Sequence, residues 1–166
     1  DRSKNRGAVY VDGKGRKTQI WDLRYTEGAK VGYKWFEATH QQPLFPFGFG
    51  LSYTTYAYSG LSVDDAARTV HFTVKNTGTR KGTEIAEVYA KLPAAAHEDY
   101  KRLVVWQRVT LAPGESKDVT LTLNPLYLSV FDTAKDGWQL LPGDYTVLAG
   151  PSSSETPLEA TLHVAQ

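Results

Sequence analysis

The chain has no cysteine, no methionine and no apolar run long enough to cross a bilayer as a helix. Without cysteine there is no disulfide scaffold, no thiolate metal site and no thiol nucleophile. Nor does this lack of disulfides fix a compartment. The missing methionine includes position 1, so a segment of something longer is expected. There is no charge of one sign either: 19 Lys and Arg stand against 18 Asp and Glu, for a net charge of +1. That balance gives no reason to expect nucleic acid as a partner of the whole domain. No Asn-x-Ser/Thr acceptor occurs, which fits an exported bacterial protein, periplasmic or secreted.

What is present is a soluble, core-forming composition: 166 residues, 41% hydrophobic and 22% charged, enough for one domain with an extension. Residues 1–34 hold nine Lys and Arg against four Asp and Glu. Gly13 and Gly15 with Lys14, Arg16 and Lys17 predict a turn between two short extended pieces, "AVYV" and "TQIW", in a solvated basic arm. Residues 25–42 read two ways. Val31, Tyr33 and Trp35 alternate as on a strand, while Gly28 and Gly32 weaken any helix. Then comes "PLFPFGFGLSYTTYAYSGL" (43–61), crowded with aromatics, glycines and prolines.

From about residue 54 the pattern is that of strands. Val70, Phe72 and Val74 alternate with Thr69, His71, Thr73 and Lys75. Ala86, Val88, Ala90 and Leu92 share a face, as do Leu103, Val105, Val109 and Leu111 with Trp106 opposite. Val119, Leu121 and Leu123 follow, then "LYLSVFD", "GDYTVLAG", and a last strand facing inward through Leu158, Ala160, Leu162 and Val164. Turn signals at Asn76-Thr77-Gly78, "APGES", Asp136-Gly137 and Pro142-Gly143 separate them. Short strands with turns at this spacing predict an all-β protein. The expected architecture is an immunoglobulin- or fibronectin III-like antiparallel β-sandwich behind an N-terminal extended aromatic linker.

A search for chemistry finds none that is local. "PGESK" lacks the second glycine of a serine elbow, "DGKGRKT" lacks phosphate-loop spacing, and "DTAKDGWQLLPG" lacks the final carboxylate of a calcium loop. His40, His71, His97 and His163 are scattered, with no ligand spacing. Glu84 and Glu87, three apart on a strand, fall on opposite faces and cannot form an acid/base pair. Glu98 and Asp99 read as a solvated loop, and Glu27 as part of a turn. Trp21, Trp35, Trp106 and Trp138 are candidate sugar-stacking platforms, with packing at an edge or against another domain the favoured reading for Trp106 and Trp138. No catalytic, substrate-binding or metal residue is assigned, and no cofactor.

The segments "YTEGAKVGYKWFE" and "QPLFPFGFGLSYTTYAYSGL" resemble the C-terminal part of glycoside hydrolase family 3, the β-glucosidase family. There the stretch commonly reads Tyr-x-Glu-Gly, Val-Gly-Tyr-Arg-Trp-Phe, then Pro-Leu-Phe-Pro-Phe-Gly-x-Gly-Leu-Ser-Tyr-Thr. The likeness continues through "VKNTGTRKGTEIAEVY", "RVTLAPGESKDVTLTL" and "LSVFDTAKDGWQLLPGDYTVLAGPSS", covering residues 25–165. Lys34 departs from the usual arginine. The resemblance implies a fibronectin type III-like domain over 54–166, preceded at 1–53 by the end of the catalytic region, an insertion and a linker. It also implies partners. These are a barrel domain with the aspartate nucleophile and an α/β sandwich domain with the glutamate acid/base, in the same enzyme or as a separate chain. A β-glucoside or cello-oligosaccharide would be met through those domains. No family catalytic residue maps onto this sequence. Tyr33, Trp35, Phe45, Phe47, Phe49 and Tyr53 are then candidates for packing between domains. A carbohydrate-binding module, or part of a family 3 β-xylosidase or other exo-glycosidase, is the alternative.

Overall fold

The structure, a computed structural model, describes residues 9–19 and 27–165. Trp21 and most of the basic arm lie outside them. Within the arm, β1 (Val9–Val11) and β2 (Lys17–Gln19) pair antiparallel across the expected Gly-rich turn. Asp12 closes that turn, its carboxylate accepting from the Lys14 and Arg16 amides at 2.9 and 3.0 Å. After α1 (Tyr33–Ala38) comes a segment without regular structure, and then the sandwich begins.

Seven strands build two antiparallel sheets. One has the order β3-β4-β7, with β3 Tyr56–Asp64, β4 Thr69–Asn76 and β7 Ser116–Thr122. The other has the order β11-β10-β5-β6, with β5 Gly82–Lys91, β6 Lys101–Leu111, β10 Gly143–Gly150 and β11 Leu158–Val164. A hairpin of β8 (Val130–Asp132) and β9 (Gly137–Gln139) stands beside them. Each strand contributes one apolar face, so the two sheets stack with Val70, Phe72, Val74, Ala86, Val88, Ala90, Val109, Leu111, Tyr145, Val147 and Leu162 between them. This is the expected sandwich, with the apolar faces of β4 and β5 as read.

β6 and the segment before β8 differ from what their residue patterns predict. Along β6, Val88 pairs with Val105 but Tyr89 pairs with Leu103, so Val104 is the extra residue of a β-bulge. The bulge reverses the side-chain phase: Val104 enters the core, and Leu103, expected there, turns to the outer face opposite Tyr89. "LYLSVFD" is a strand only at its end. Its start is α2 (Pro125–Leu128), set by Asn124, whose side chain accepts from the Leu126 amide at 2.9 Å, and by proline in the first turn.

The turn after β4 is fixed by one fully buried side chain. Asn76 accepts from the Thr54 hydroxyl (2.6 Å) and the Gly78 amide (3.0 Å), and donates to the carbonyls of Arg80 (2.8 Å) and Leu111 (3.1 Å). Its amide is completely used, which makes burial of so polar a group favourable and ties the start of the sandwich to the end of β6.

Candidate interdomain face

The linker is not a free tether. Gly28 and Gly32 both adopt φ of +60°, and Gly32 caps α1 with ψ of −129°, a backbone state closed to residues with a Cβ. The glycines that weaken a long helix therefore permit a short one of six residues. Tyr33 and Glu37, four apart, share the face of α1 turned to the sandwich. Tyr33 Oη accepts from the Leu103 amide at 2.7 Å, and Glu37 Oε2 accepts from the Lys101 amide at 3.1 Å. Glu37 Oε1 also lies 3.6 Å from Lys101 Nζ. β6 is an edge strand, and α1 supplies side-chain acceptors for two of its outward amides, so the edge is blocked to pairing at its Lys101–Leu103 end.

Beyond α1, the Tyr33 ring meets Tyr89 edge-on at 5.7 Å and Phe47 at 5.5 Å. The Phe47 carbonyl accepts from the Ser153 amide at 2.8 Å. Gly48, with φ of +85°, lies so close to Glu87 that a Cβ there would come 2.5 Å from the carboxylate. Residues 46–49 thus cross the outer face of the four-stranded sheet and roof over Glu87, which is 4% exposed. Tyr89 Oη donates to Glu87 Oε2 at 2.6 Å. Burial pushes the Glu87 carboxyl above its ordinary pKa against the opposing effect of that hydrogen bond, and it raises the Tyr89 phenol. Lys101, whose ammonium sits 5.6 Å from the centre of the Tyr89 ring, is pushed down by burial and held up by Glu37.

Of the six aromatic candidates, the structure brings Tyr33 and Phe47 together, and Phe45 and Phe49, whose rings are 5.3 Å apart. Tyr33 is half-buried against the sandwich. Trp35, Phe45, Phe47, Phe49 and Tyr53 are exposed, and with them Leu44 (87%) and Leu51 (94%). Glu84 and Glu87 do point to opposite faces: Glu84 bonds Tyr58 Oη at 3.0 Å on the inner side. The reading of Glu98 as a solvated residue is corrected. Its carboxylate forks onto the Arg102 guanidinium, and both side chains are largely buried because Arg102 also donates to the carbonyls of Tyr127 (3.2 Å) and Ser129 (2.7 Å). Asp99 is exposed, paired with Lys30 at 2.8 Å. Among the described residues no three His, Asp or Glu side chains gather as metal ligands.

Glu37, Glu87, Tyr89 and Lys101 were missed as members of this face. The signal for Glu87 and Tyr89 was available, since residues two apart on a strand share a face and an O–H can then reach a carboxylate. Glu37 and Lys101 carry no such mark, being 64 residues apart.

A family model described as a fibronectin type III-like domain matches residues 84–153, from within β5 to just beyond β10. The chain is 36% identical over 149 residues to thermostable β-glucosidase B of Acetivibrio thermocellus, an alignment that takes in 86% of this chain and 20% of that protein. Among solved structures, the β-D-glucoside glucohydrolase of Trichoderma reesei superposes with a TM-score of 0.84 at 30% identity, over 90% of this chain and 24% of that one. The β-glucosidase DesR of Streptomyces venezuelae, solved with D-glucose, gives 0.77 at 36% identity, over 84% and 19%. The chain spans about a fifth of the length of the curated relatives it matches.

Proposed function

From the premise that this chain belongs to glycoside hydrolase family 3, as the fibronectin type III-like segment of its β-glucosidases, we propose that it is a docking module. In this reading it is the non-catalytic C-terminal part of a retaining enzyme that releases terminal β-D-glucosyl residues. The barrel and α/β domains that carry the nucleophile and the acid/base are its partners, and the β-glucoside is met through them. Its own task is to hold those domains in register.

One observation carries the proposal. The linker backbone is pinned to the sandwich by Tyr33, Glu37 and the Phe47 carbonyl, yet Leu44, Phe45, Leu51 and Tyr53 turn their side chains to water. A segment that pays the entropy of ordering while leaving its apolar groups exposed gains only when a second surface covers them. Each such side chain, fully covered, contributes about 1.5–3 kcal/mol.

The experiment is a turnover assay with an aryl β-glucoside. The 166-residue chain alone is expected to be inactive, with activity appearing when the catalytic domains are supplied in the same chain or co-expressed. An aryl β-xyloside in a parallel assay separates a glucosidase from a xylosidase. Hydrolysis by the 166 residues alone would overturn the reading.

A further inference from the structure

Between α1, the loop ahead of β6 and the β8–β9 hairpin lies a cavity of about 360 Å³ that the docking reading leaves without a task. One wall is Trp138 on β9. Its indole is 56% exposed and is braced by a T-shaped contact, 5.5 Å between centroids, with Phe131, the residue directly opposite it in the hairpin. Such a cross-strand aromatic pair holds the indole upright. Tyr127 and Leu126 of α2, both exposed, extend the apolar wall.

The polar side is equally fixed. Arg102 is clamped by the Glu98 fork and by the carbonyls of Tyr127 and Ser129, so the charged pair has few other positions open to it. Lys34 stands over the Tyr100 ring, its ammonium 5.4 Å from the centroid. The cavity therefore joins a braced, solvent-facing aromatic plane to the Lys34 ammonium and to a Glu98 carboxylate that Arg102 holds in place. Ligand sites have this composition: an apolar lining with a few placed polar groups, and little ordering cost left for binding.

We propose that this cavity binds a β-linked oligosaccharide of equatorially substituted pyranoses. One sugar ring lies against Trp138, with its hydroxyls toward Lys34 and the Glu98–Arg102 pair. Such a ring presents axial C–H groups on both faces, which suit the indole, and places its hydroxyls at the rim, where the charged groups stand. The choice of a β-linked sugar rests on the β-glucosidase reading. Trp106 is as exposed as Trp138 but lies on the open outer side of β6 and does not line the cavity, so it makes no such site.

The test is titration of the 166-residue chain with cellohexaose and, separately, xylohexaose, followed by amide and indole N–H chemical shifts. Shifts are expected at Trp138, Lys34 and Arg102. Trp138→Ala should weaken binding by about tenfold or more, Lys34→Met by a smaller factor, and Trp106→Ala not at all, with thermal midpoints confirming that each variant is folded. A response to cellohexaose alone assigns a glucan, and a response to both sugars assigns the shared pyranose chemistry; either supports the site. No shift at Trp138 with either sugar overturns it. So does equal loss in Trp106→Ala, or an indole N–H that becomes shielded in the complete enzyme without sugar, which would make the cavity a contact between domains. Turnover of the aryl glucoside is independent of these outcomes, so the docking reading stands or falls separately.

Discussion

Glu87 shows how a single residue couples the linker to the sandwich. Its carboxyl is buried under Gly48 and bonded by Tyr89 Oη, and burial raises its pKa above the ordinary 4.5. A carboxyl whose pKa is higher when folded holds its proton more tightly in the folded state. The stability it contributes is complete below 4.5 and is lost as pH rises through the raised folded value. Glu87→Gln keeps an acceptor for Tyr89 and removes the buried charge. The variant should match the parent at acid pH and be more heat-stable above the folded value, the gap opening as pH rises and then levelling. Glu84 is shifted in the same direction, also chiefly by burial, but is present in both proteins, so its own effect largely cancels. Thermal midpoints across a pH series give the answer, and a gap independent of pH would sink the assignment.

The elements divide by how local their causes are. β4, β7 and β11 were legible because each buries one face, and a period of two then appears directly in the residues; β5 was legible through its inner face alone, since Glu87 and Tyr89 on the other face are buried as well. β6 was legible through Val105, Val109 and Leu111 but not at its start, since the bulge at Val104 exchanges the two faces there and has no mark in the sequence. α2 carried its signal in Asn124-Pro125, which the apolar residues after it obscured. The aromatic run 43–53 stood out in the sequence by its composition. Its attachment to this chain's own sheet, and that of α1 before it, did not, because the contacts join distant residues: Phe47 with Ser153, Tyr33 with Leu103, 70 apart, and Glu37 with Lys101, 64 apart. Those contacts make α1 a latch on an edge strand. Glu37→Ala removes both the acceptor for the Lys101 amide and the partner of its ammonium. Hydrogen exchange at Lys101 and Leu103 should then quicken by on the order of tenfold or more, while Val147 in the centre of the sheet stays protected. Equal acceleration at Val147 would mean that α1 supports the whole sandwich rather than one edge.

On the scale of the whole molecule, the chain has two kinds of apolar surface with opposite fates. The inner faces of the sheets are satisfied within these residues: Leu111, Val109 and Val147 are fully buried. The side chains of Leu44, Leu51 and Tyr53, at 87%, 94% and 90% exposure, are not. With a net charge of only +1, long-range attraction does not explain why such a surface is displayed, so burial itself is the available driving force. This predicts a difference between two contexts. Leu51→Ser combined with Tyr53→Ser should change the stability of the 166-residue chain by no more than about 0.5 kcal/mol per site, as expected for exposed positions. In the complete enzyme the same pair should lower the unfolding midpoint of this module by a loss of about 1.5–3 kcal/mol per covered side chain. Leu111→Ala is the control, costing about 2–5 kcal/mol in both contexts because its cavity opens inside the sandwich. Thermal unfolding of the six proteins, parent, double variant and control in each context, decides the matter. If the double variant is as mild in the complete enzyme as in the isolated chain, Leu51 and Tyr53 face water in both, and the joint lies elsewhere.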